Sequence, residues 1–351
     1  MIRDALTTRT ARSAAIVSTA NNSHDHRAQP ATSHLSLADR WDHFLARWGV
    51  NRGGHRATPG LYTLGDPTPD SPVFVTANYT LSFDALRSSL TGVDGYLLVL
   101  DTRGVNVWCA AGKGTFGTDE LVSRIESTRL ADVVSHRKLI LPQLGAPGVA
   151  AREVQQRSGF TVEYGPVKAS DLPAYLATGE ATPEMRRVTF NLLERVVLIP
   201  VELVHVILPA AIALLVLYFT AGRLVAATGL AAVLTGTVLF PVLLPWIPTR
   251  DFSSKGLLLG ALAAAPFSAA AVQAHREASP WLGPTWAVGL LLAAAATTAF
   301  LALNFTGSTP LTSRSGVRRE IQKYTRLMAT MFVSGIIVVA VLSIVRAVGG
   351  S

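Results

Sequence analysis

The chain has 351 residues, of which 49% are hydrophobic and 15% charged, and its mean hydropathy is +0.36. Soluble domains contain roughly 25% charged residues, so this composition excludes an ordinary soluble enzyme for at least part of the chain. There is one cysteine, which excludes a disulfide framework and an iron–sulfur cluster held by this chain alone.

The net charge of +8 is unevenly distributed along the chain. Residues 1–195 contain 21 Lys and Arg against 19 Asp and Glu, whereas residues 196–351 contain 10 against 4. Most of the excess therefore lies in the more apolar half. A nucleic-acid-binding protein would concentrate basic residues on its soluble domain, so no nucleic acid is expected as a partner.

Residues 1–38 are polar, rich in Ala, Thr, Ser and Arg, and contain no apolar run. A secretory signal needs an apolar core of about 7–15 residues, so none is predicted. A segment of such low hydrophobicity cannot offset the conformational entropy that it would lose on ordering. We therefore expect a disordered tail over residues 1–38.

Between residues 60 and 178, short apolar runs alternate with amphipathic stretches. The predicted strands are 73–76, 96–101, 139–141 and 160–164. The predicted helices are 83–90, 118–129 and 148–157. Strands that alternate with helices indicate a parallel sheet covered on both faces. The sequence thus predicts an α/β, Rossmann-like domain over residues 39–185.

From residue 196 onward the chain consists of long apolar segments, each close to the ~20 residues that cross a ~30 Å hydrocarbon core. The five predicted spans are 196–219, 224–247, 256–274, 281–305 and 327–346. They form a predicted all-α membrane domain over residues 186–351.

The basic residues that flank these spans predict the orientation of the chain, because Lys and Arg favour the cytoplasmic side during insertion. With the N-terminal domain inside, the inner flanks contain ten basic residues and the outer flanks three. We therefore expect a multi-pass protein of the cytoplasmic (inner) membrane. Its N-terminal domain would be cytoplasmic and its C-terminus would lie on the outer side.

Two ionisable residues, Glu202 and His205, lie inside the first predicted span, between Pro200 and Pro209. Ionisable groups inside a membrane are costly and often functional. Both residues are close to the cytoplasmic entrance, however, where snorkelling or a helix–helix contact explains them equally well. Both interpretations stay open.

A glycine triplet, Gly112, Gly114 and Gly117, has the G-x-G-x-x-G spacing of a dinucleotide-binding loop, and Asp132 lies where a ribose-binding acid is expected. The motif is weak, because its first glycine should directly follow a strand. It supports one alternative function, a membrane transporter with a nucleotide-binding cytoplasmic domain.

The complete segment around the triplet reads N-V-W-C-A-A-G-K-G-T-F-G-T over residues 106–118. It resembles the N-V/I-W-C-A-A/G-G-K cap motif of the mercury-methylating corrinoid proteins, the HgcA family. Further segments similar to that family are P-G-L-Y at 59–62, S-P-V-F-V-T-A-N-Y at 71–79, L-D-T-R-G at 100–104, V-S-H-R at 134–137, L-P-Q-L-G-A-P-G at 141–148, Y-G-P-V at 164–167 and N-F-T-G-S-T at 304–309. The resemblance extends over residues 41–346.

This resemblance implies a cobalamin-type corrinoid on the Rossmann-like domain, with Cys109 as the catalytic residue and the lower axial ligand of its cobalt. A soft thiolate suits a late transition metal. The resemblance also implies a corrinoid-dependent methyltransferase that transfers the cobalt-bound methyl group to Hg(II) and forms methylmercury. The residues expected to bind the cofactor are Asn106, Val107, Trp108, Cys109, Ala110, Ala111, Gly112, Lys113, Gly114 and Thr115.

Three more cofactor-binding candidates, Thr76, Asn78 and Gln143, follow predicted strands, at the edge where α/β folds bind ligands. Each could equally be a turn or cap residue. Many cobalamin domains supply a histidine through D-x-H-x-x-G, but the sequence contains no D-x-H.

The resemblance also implies partners for the chain. They are a ferredoxin-like protein with two [4Fe–4S] clusters (HgcB type), a methyl-tetrahydrofolate-dependent methyl donor, the substrate Hg(II) and membrane lipid. A second alternative is the corrinoid methyl carrier of the acetyl-CoA pathway, the large subunit of the corrinoid iron–sulfur protein. The lack of cysteine in residues 1–108 and the five predicted spans disfavour it.

Overall fold

A computed structural model describes residues 28–51, 53–277, 280–309 and 314–349. Residues 1–27 of the expected tail lie outside the described residues. Contacts divide the chain into two units, which we call the sheet unit (Met1–His43 with Arg52–Arg187) and the helical unit (Phe44–Asn51 with Val188–Ser351).

The sheet unit contains a six-stranded sheet in the order β1-β2-β4-β3-β5-β6. Its strands are β1 (Gln29–Ala31), β2 (Gly60–Leu64), β3 (Val73–Ala77), β4 (Gly95–Leu100), β5 (Lys138–Leu141) and β6 (Thr161–Tyr164). The four predicted strands correspond to β3–β6. The structure adds β1 and β2.

The prediction of a parallel sheet is wrong at one pairing, because β2 runs antiparallel to β4, so that β1 and β2 both run opposite to the other four strands. The other pairs, β1 with β2, β3 with β4, β3 with β5, and β5 with β6, are parallel. Only residues 65–72 separate β2 from β3, and a crossover between parallel strands needs a dozen or more residues. The sheet is therefore mixed, with a parallel majority.

Helices connect most of the strands. They are α1 (Leu37–Arg47), α2 (Thr80–Ser89), α3 (Val107–Lys113), α4 (Thr118–Ser127), α5 (Leu130–Val133), α6 (Ala151–Ser158) and α7 (Leu172–Thr178). The three predicted helices, 83–90, 118–129 and 148–157, correspond to α2, α4 and α6.

The expected disordered tail is wrong for residues 28–38, which contain β1 and the start of α1. Contacts with residues distant in the sequence order this segment. The guanidinium of Arg87 donates hydrogen bonds to the carbonyl oxygens of Thr32 (2.6 Å) and His34 (2.9 Å), and β1 pairs with β2. These tertiary contacts offset the entropy that the segment loses on ordering.

Both faces of the sheet are buried, as the predicted two-sided coverage requires. Along β3, Val73 and Val75 belong to one hydrophobic cluster and Phe74 to the other. All six residues of β4 are buried. Strands buried on both faces have continuous apolar sequences, which is why the central strands could be predicted.

The helical unit comprises α8 (Leu192–Val196), α9 (Ile199–Ala221), α10 (Arg223–Leu234), α11 (Phe240–Leu243), α12 (Phe252–Ala274), α13 (Leu282–Phe305) and α14 (Arg314–Gly349). Five stretches are long and apolar enough to cross a membrane: Leu192–Ala221, Arg223–Leu243, Phe252–Ala274, Leu282–Phe305 and Ser315–Val348. The prediction of five apolar helices is confirmed within the described residues, whereas their orientation in a membrane stays a prediction.

Small residues allow α13 to pack closely against α14. A Cβ built on Gly335 of α14 would lie 2.7 Å from the backbone nitrogen of Ala293, and one built on Gly289 of α13 would lie 2.9 Å from Val338 Cγ1. Close backbone approach through small residues is typical of helices that associate within membranes.

Glu202 and His205 both lie on α9. The ring atom Nδ1 of His205 is 2.6 Å from the carbonyl oxygen of Val201, one turn earlier on the same helix. This contact is local to α9, and both interpretations of the two residues stay open.

Candidate functional site

A cavity of about 370 Å³ lies at the carboxyl ends of β3, β5 and β6. Its wall includes Thr76 at the end of β3, Pro142 after β5 and Pro166 after β6, together with Asn106 and Trp108 at the start of α3. The strands that follow β3 in the sequence, β4 and β5, lie on opposite sides of it, so the strand order reverses at this point of the sheet. Open α/β sheets bind ligands at such switch points.

The residues expected to carry the chemistry form a short helix, α3, rather than a loop. Asn106 precedes it in an extended conformation, and its side-chain oxygen accepts a hydrogen bond from the backbone nitrogen of Cys109 at 2.9 Å. The helix ends at Gly114, whose φ of 83° is left-handed and favours glycine. An asparagine cap and a glycine terminator thus fix both ends of this seven-residue helix.

The faces of α3 separate the candidate residues into two groups. Val107, Ala110 and Ala111 are buried and belong to the core of the sheet unit. Trp108 lines the cavity, and Cys109 is partly exposed. The last residues, Gly112, Lys113 and Gly114, are exposed. Cys109 is therefore accessible to a ligand, whereas the alanines contact protein.

Close backbone packing explains why the buried residues of this region are small. A Cβ built on Gly148 would lie 2.9 Å from the Cα of Ala111. A Cβ built on Gly145 would lie 2.5 Å from Phe116 Cε1. The loop after β5 thus packs directly on α3 and keeps this helix against the sheet.

The structure removes the support for a dinucleotide-binding loop. Gly112 lies inside α3, Gly114 ends that helix and Gly117 precedes α4. The fingerprint requires a glycine directly after a strand, whereas β4 ends at Leu100. Asp132 lies on α5 and not at the end of a strand. The triplet separates two helices.

Asn78 organises the loop that leads from β4 to α3. Its side-chain oxygen accepts hydrogen bonds from the backbone nitrogens of Thr102 (3.1 Å) and Gly104 (3.0 Å), and its amide donates to Asp101 Oδ1 (3.1 Å). Asn78 is only 2% exposed. In this structure its side chain positions the loop before Asn106. Sequence reasoning missed Asp101 and Thr102, although both directly follow a strand.

The remaining candidates differ in their surroundings. Thr76 is buried and lines the cavity. Gln143 follows β5, and its side-chain oxygen accepts a hydrogen bond from Arg186 at 3.0 Å. Thr115 has a buried hydroxyl oxygen with no hydrogen-bond partner in the described part of the chain. Such an orphaned group is costly unless a ligand or water satisfies it.

Tyr79 also lines the cavity and was missed from the sequence. It comes directly before α2, two residues after the end of β3. Its position just beyond a strand is the signal that could have identified it.

No group of three or more His, Cys, Asp and Glu side chains that could hold a metal ion occurs among the described residues.

Comparison with known proteins finds similarity in the sheet unit. The family model described as "CO dehydrogenase/acetyl-CoA synthase delta subunit" matches residues 52–176. Acetyl-CoA decarbonylase/synthase complex subunit gamma of Archaeoglobus fulgidus is 36% identical over 120 residues, which are 34% of this chain and 25% of that protein. The subunits of Methanopyrus kandleri and Methanocaldococcus jannaschii are 37% and 34% identical over 120 residues, covering 34% of this chain and 26% and 24% of theirs.

The chain thus spans about a quarter of the length of these curated relatives. The similarity agrees with the relationship to acetyl-CoA-pathway proteins that the sequence analysis considered. The names of these relatives do not include mercury methylation, so that activity stays a proposal.

Proposed function

We propose that the chain is a membrane-bound, corrinoid-dependent methyltransferase that transfers a methyl group to Hg(II). One observation carries the proposal. Cys109, the single cysteine of the sequence, is partly exposed in the first turn of a capped helix that starts beside the cavity. A thiolate at this position would hold a corrinoid by binding its cobalt.

The residues present fit a corrinoid. Cys109 offers one soft sulfur ligand, which suits a late transition metal. Trp108, the residue before Cys109, supplies an aromatic part of the cavity wall. Thr115 has an unsatisfied hydroxyl within the same segment.

When bound, the corrinoid would supply a cobalt centre that carries the methyl group. Cys109 would lose its thiol proton on binding the metal, because a thiol coordinates as the thiolate. Asn106 holds the backbone of Cys109 through the 2.9 Å cap hydrogen bond. Asn78 fixes the loop before Asn106. These residues position the sulfur before any substrate arrives.

The partners belong to the same proposal. They are a ferredoxin-like reductant with two [4Fe–4S] clusters and a methyl-tetrahydrofolate-dependent donor. Hg(II) is the substrate. We further propose that the five helices hold the sheet unit on the cytoplasmic side of the inner membrane. The basic flanks of the predicted spans support this orientation.

A methyl carrier for an acetyl-CoA-pathway reaction is the second candidate, and the names of the matched relatives favour it. The five apolar helices and the single cysteine in the sequence favour mercury methylation instead. A nucleotide-regulated transporter has lost its main support, because the glycine triplet separates two helices.

The test is methylmercury formation in a deletion strain that is complemented with the wild type, Cys109→Ala, Asn106→Ala or Asn106→Ser. Cys109→Ala should abolish methylation and alter the visible spectrum of the purified protein, while membrane insertion persists. Asn106→Ala should lower methylation. Asn106→Ser should retain it, because serine caps helices as well as asparagine does.

Retained methylation in Cys109→Ala would disprove the role of Cys109. A purified wild type with cobalt that carries methyl groups into acetyl-CoA but not to Hg(II) would favour the second candidate. A protein without cobalt in a strain supplied with corrinoid would contradict both.

A further inference from the structure

The helical unit contains a second, larger cavity of about 910 Å³, which we call the basic cavity. It lies among α8, the segment after α11, and the first turns of α12 and α14. Its wall contains five basic residues, Arg195, Arg250, Lys255, Arg319 and Lys323. Only two acidic residues, Asp251 and Glu320, share the wall, so its formal charge is positive.

Both carboxylates of the wall are already engaged within the protein. Asp251 accepts hydrogen bonds from Lys323 Nζ and the Tyr324 hydroxyl, each at 2.8 Å. These contacts hold the pKa of Asp251 below its usual range. Glu320 is 7% exposed and accepts a hydrogen bond from the backbone nitrogen of Ser253. The hydrogen bonds of both acids thus go to Lys323, Tyr324 and Ser253 rather than to an arginine, although Asp251 also attracts Arg319 electrostatically.

Arg195 provides the independent sign of a ligand site. It is 5% exposed, and its Nε has no hydrogen-bond partner within the described ranges. Its guanidinium lies over the Trp246 ring, 5.9 Å from the centroid. This ring contact does not supply a hydrogen-bond acceptor for Nε. A buried charged donor is costly to leave unpaired. An anion in the basic cavity would satisfy it.

The chemistry of the wall suits a phosphate group. Guanidinium groups bind phosphate with paired, charge-assisted hydrogen bonds, and Arg195, Arg250 and Arg319 line one cavity. Lys255 is less available, since its ammonium donates to the carbonyl oxygens of Leu244 and Ile247.

The location suggests where such a phosphate comes from. The cavity is formed at the ends of apolar helices, on the side where the basic residues of the unit are concentrated. Basic pockets between membrane-spanning helices on the cytoplasmic side bind anionic headgroups.

We propose that the basic cavity binds a phosphate-bearing anion, through Arg195, Arg250 and Arg319. The headgroup of an anionic phospholipid and free phosphate share this chemistry, and the experiment separates them. The proposal is independent of the methyl-transfer chemistry, because it concerns the helical unit alone.

The test uses the full chain purified in detergent. Native mass spectrometry would count the lipids retained with added phosphatidylglycerol or phosphatidylcholine, and thermal-shift titration would measure binding of inorganic phosphate. The variants are Arg319→Gln, on the exposed part of the wall, and Arg195→Gln. Arg223→Gln is the matched control, because it removes the same charge from an exposed position at the start of α10.

Each variant of the wall should weaken binding about fivefold, since one basic residue near a headgroup contributes about 1 kcal/mol. Arg223→Gln should bind as the wild type does. Selective retention of phosphatidylglycerol that falls in Arg319→Gln supports a lipid headgroup. Saturable binding of inorganic phosphate, without selective retention of phosphatidylglycerol, supports a free phosphate if Arg319→Gln weakens it.

The proposal is overturned if neither ligand binds, or if Arg319→Gln and Arg223→Gln weaken binding equally. Arg319→Gln keeps the test decisive even if the buried substitution Arg195→Gln fails to fold.

Discussion

Replacing Asn78 with alanine would release the loop that positions α3. Its side-chain oxygen accepts from the backbone nitrogens of Thr102 and Gly104. Thr102 keeps a second acceptor, the Leu100 carbonyl oxygen at 3.1 Å, whereas Gly104 loses its acceptor. One unsatisfied donor costs about 1–3 kcal/mol. With the void left by the side chain, we expect a total of about 2–4 kcal/mol.

This cost would raise the opening equilibrium of the loop by roughly 30- to 1,000-fold, because 1.4 kcal/mol corresponds to a factor of ten. Hydrogen–deuterium exchange of the full-length protein would measure it in peptides that contain residues 101–105. Asn106→Ala is the matched control. It removes one cap hydrogen bond downstream, worth about 1 kcal/mol, and should leave exchange at Gly104 unchanged.

Two results would refute this reasoning. Unchanged exchange in Asn78→Ala would show that the hydrogen bonds to Asn78 do not hold the loop. Equal acceleration in Asn78→Ala and Asn106→Ala would show that the loop and α3 open together.

Three further predictions concern the sheet unit. Arg87→Met should destabilise the protein by about 2–4 kcal/mol in denaturant unfolding, because Asp84, which is 5% exposed, loses its guanidinium partner and keeps His43 Nε2 at 2.7 Å; replacing both Arg87 and Asp84 by apolar residues should recover part of the loss. Burial disfavours the ionised form of Asp39, but hydrogen bonds from Ser36 and Arg87 outweigh it and hold its pKa below the ordinary 3.8. The stability that Asp39 contributes is complete above about pH 3.8 and is lost as the pH falls through the lower pKa that Asp39 has in the folded protein. Asp39→Asn should therefore weaken the dependence of the melting temperature on pH between about pH 2 and 4. Gly148→Ala should displace α3 and the segment after it, because the new Cβ would overlap the Phe116 carbonyl oxygen and lie 2.9 Å from Ala111 Cα; an unchanged rate of thiol labelling at Cys109 would contradict this.

The sequence predicted those elements whose signal is local. The strands β3–β6 are apolar runs, and the five long helices exceed the length needed to cross a bilayer. In contrast, β1 is only Gln29–Ala31 and forms through its pairing with β2. The connection between β2 and β3 is too short for a parallel crossover, which restricts the direction of β2. It does not show that β2 pairs with β4.

The candidate site was predicted in part for similar reasons. Cys109 and Trp108 were chosen through their motif. Trp108 lines the cavity and Cys109 is partly exposed, whereas their roles stay predictions. The helical form of residues 107–113 was missed, because three closely spaced glycines indicate a loop and the helix is set by the cap at Asn106. The positioning role of Asn78 depends on contacts with residues more than twenty positions away, which local patterns do not show.

The 36 residues of α14 form one unbroken helix, about 54 Å long at 1.5 Å per residue. The hydrocarbon core of a bilayer is only ~30 Å thick, and the predicted span 327–346 accounts for that thickness. Residues 314–326 of α14, about 20 Å of helix, would therefore extend beyond the hydrocarbon. They include Arg319 and Lys323 of the basic cavity, so the part of its wall that α14 contributes would lie at headgroup level or in water.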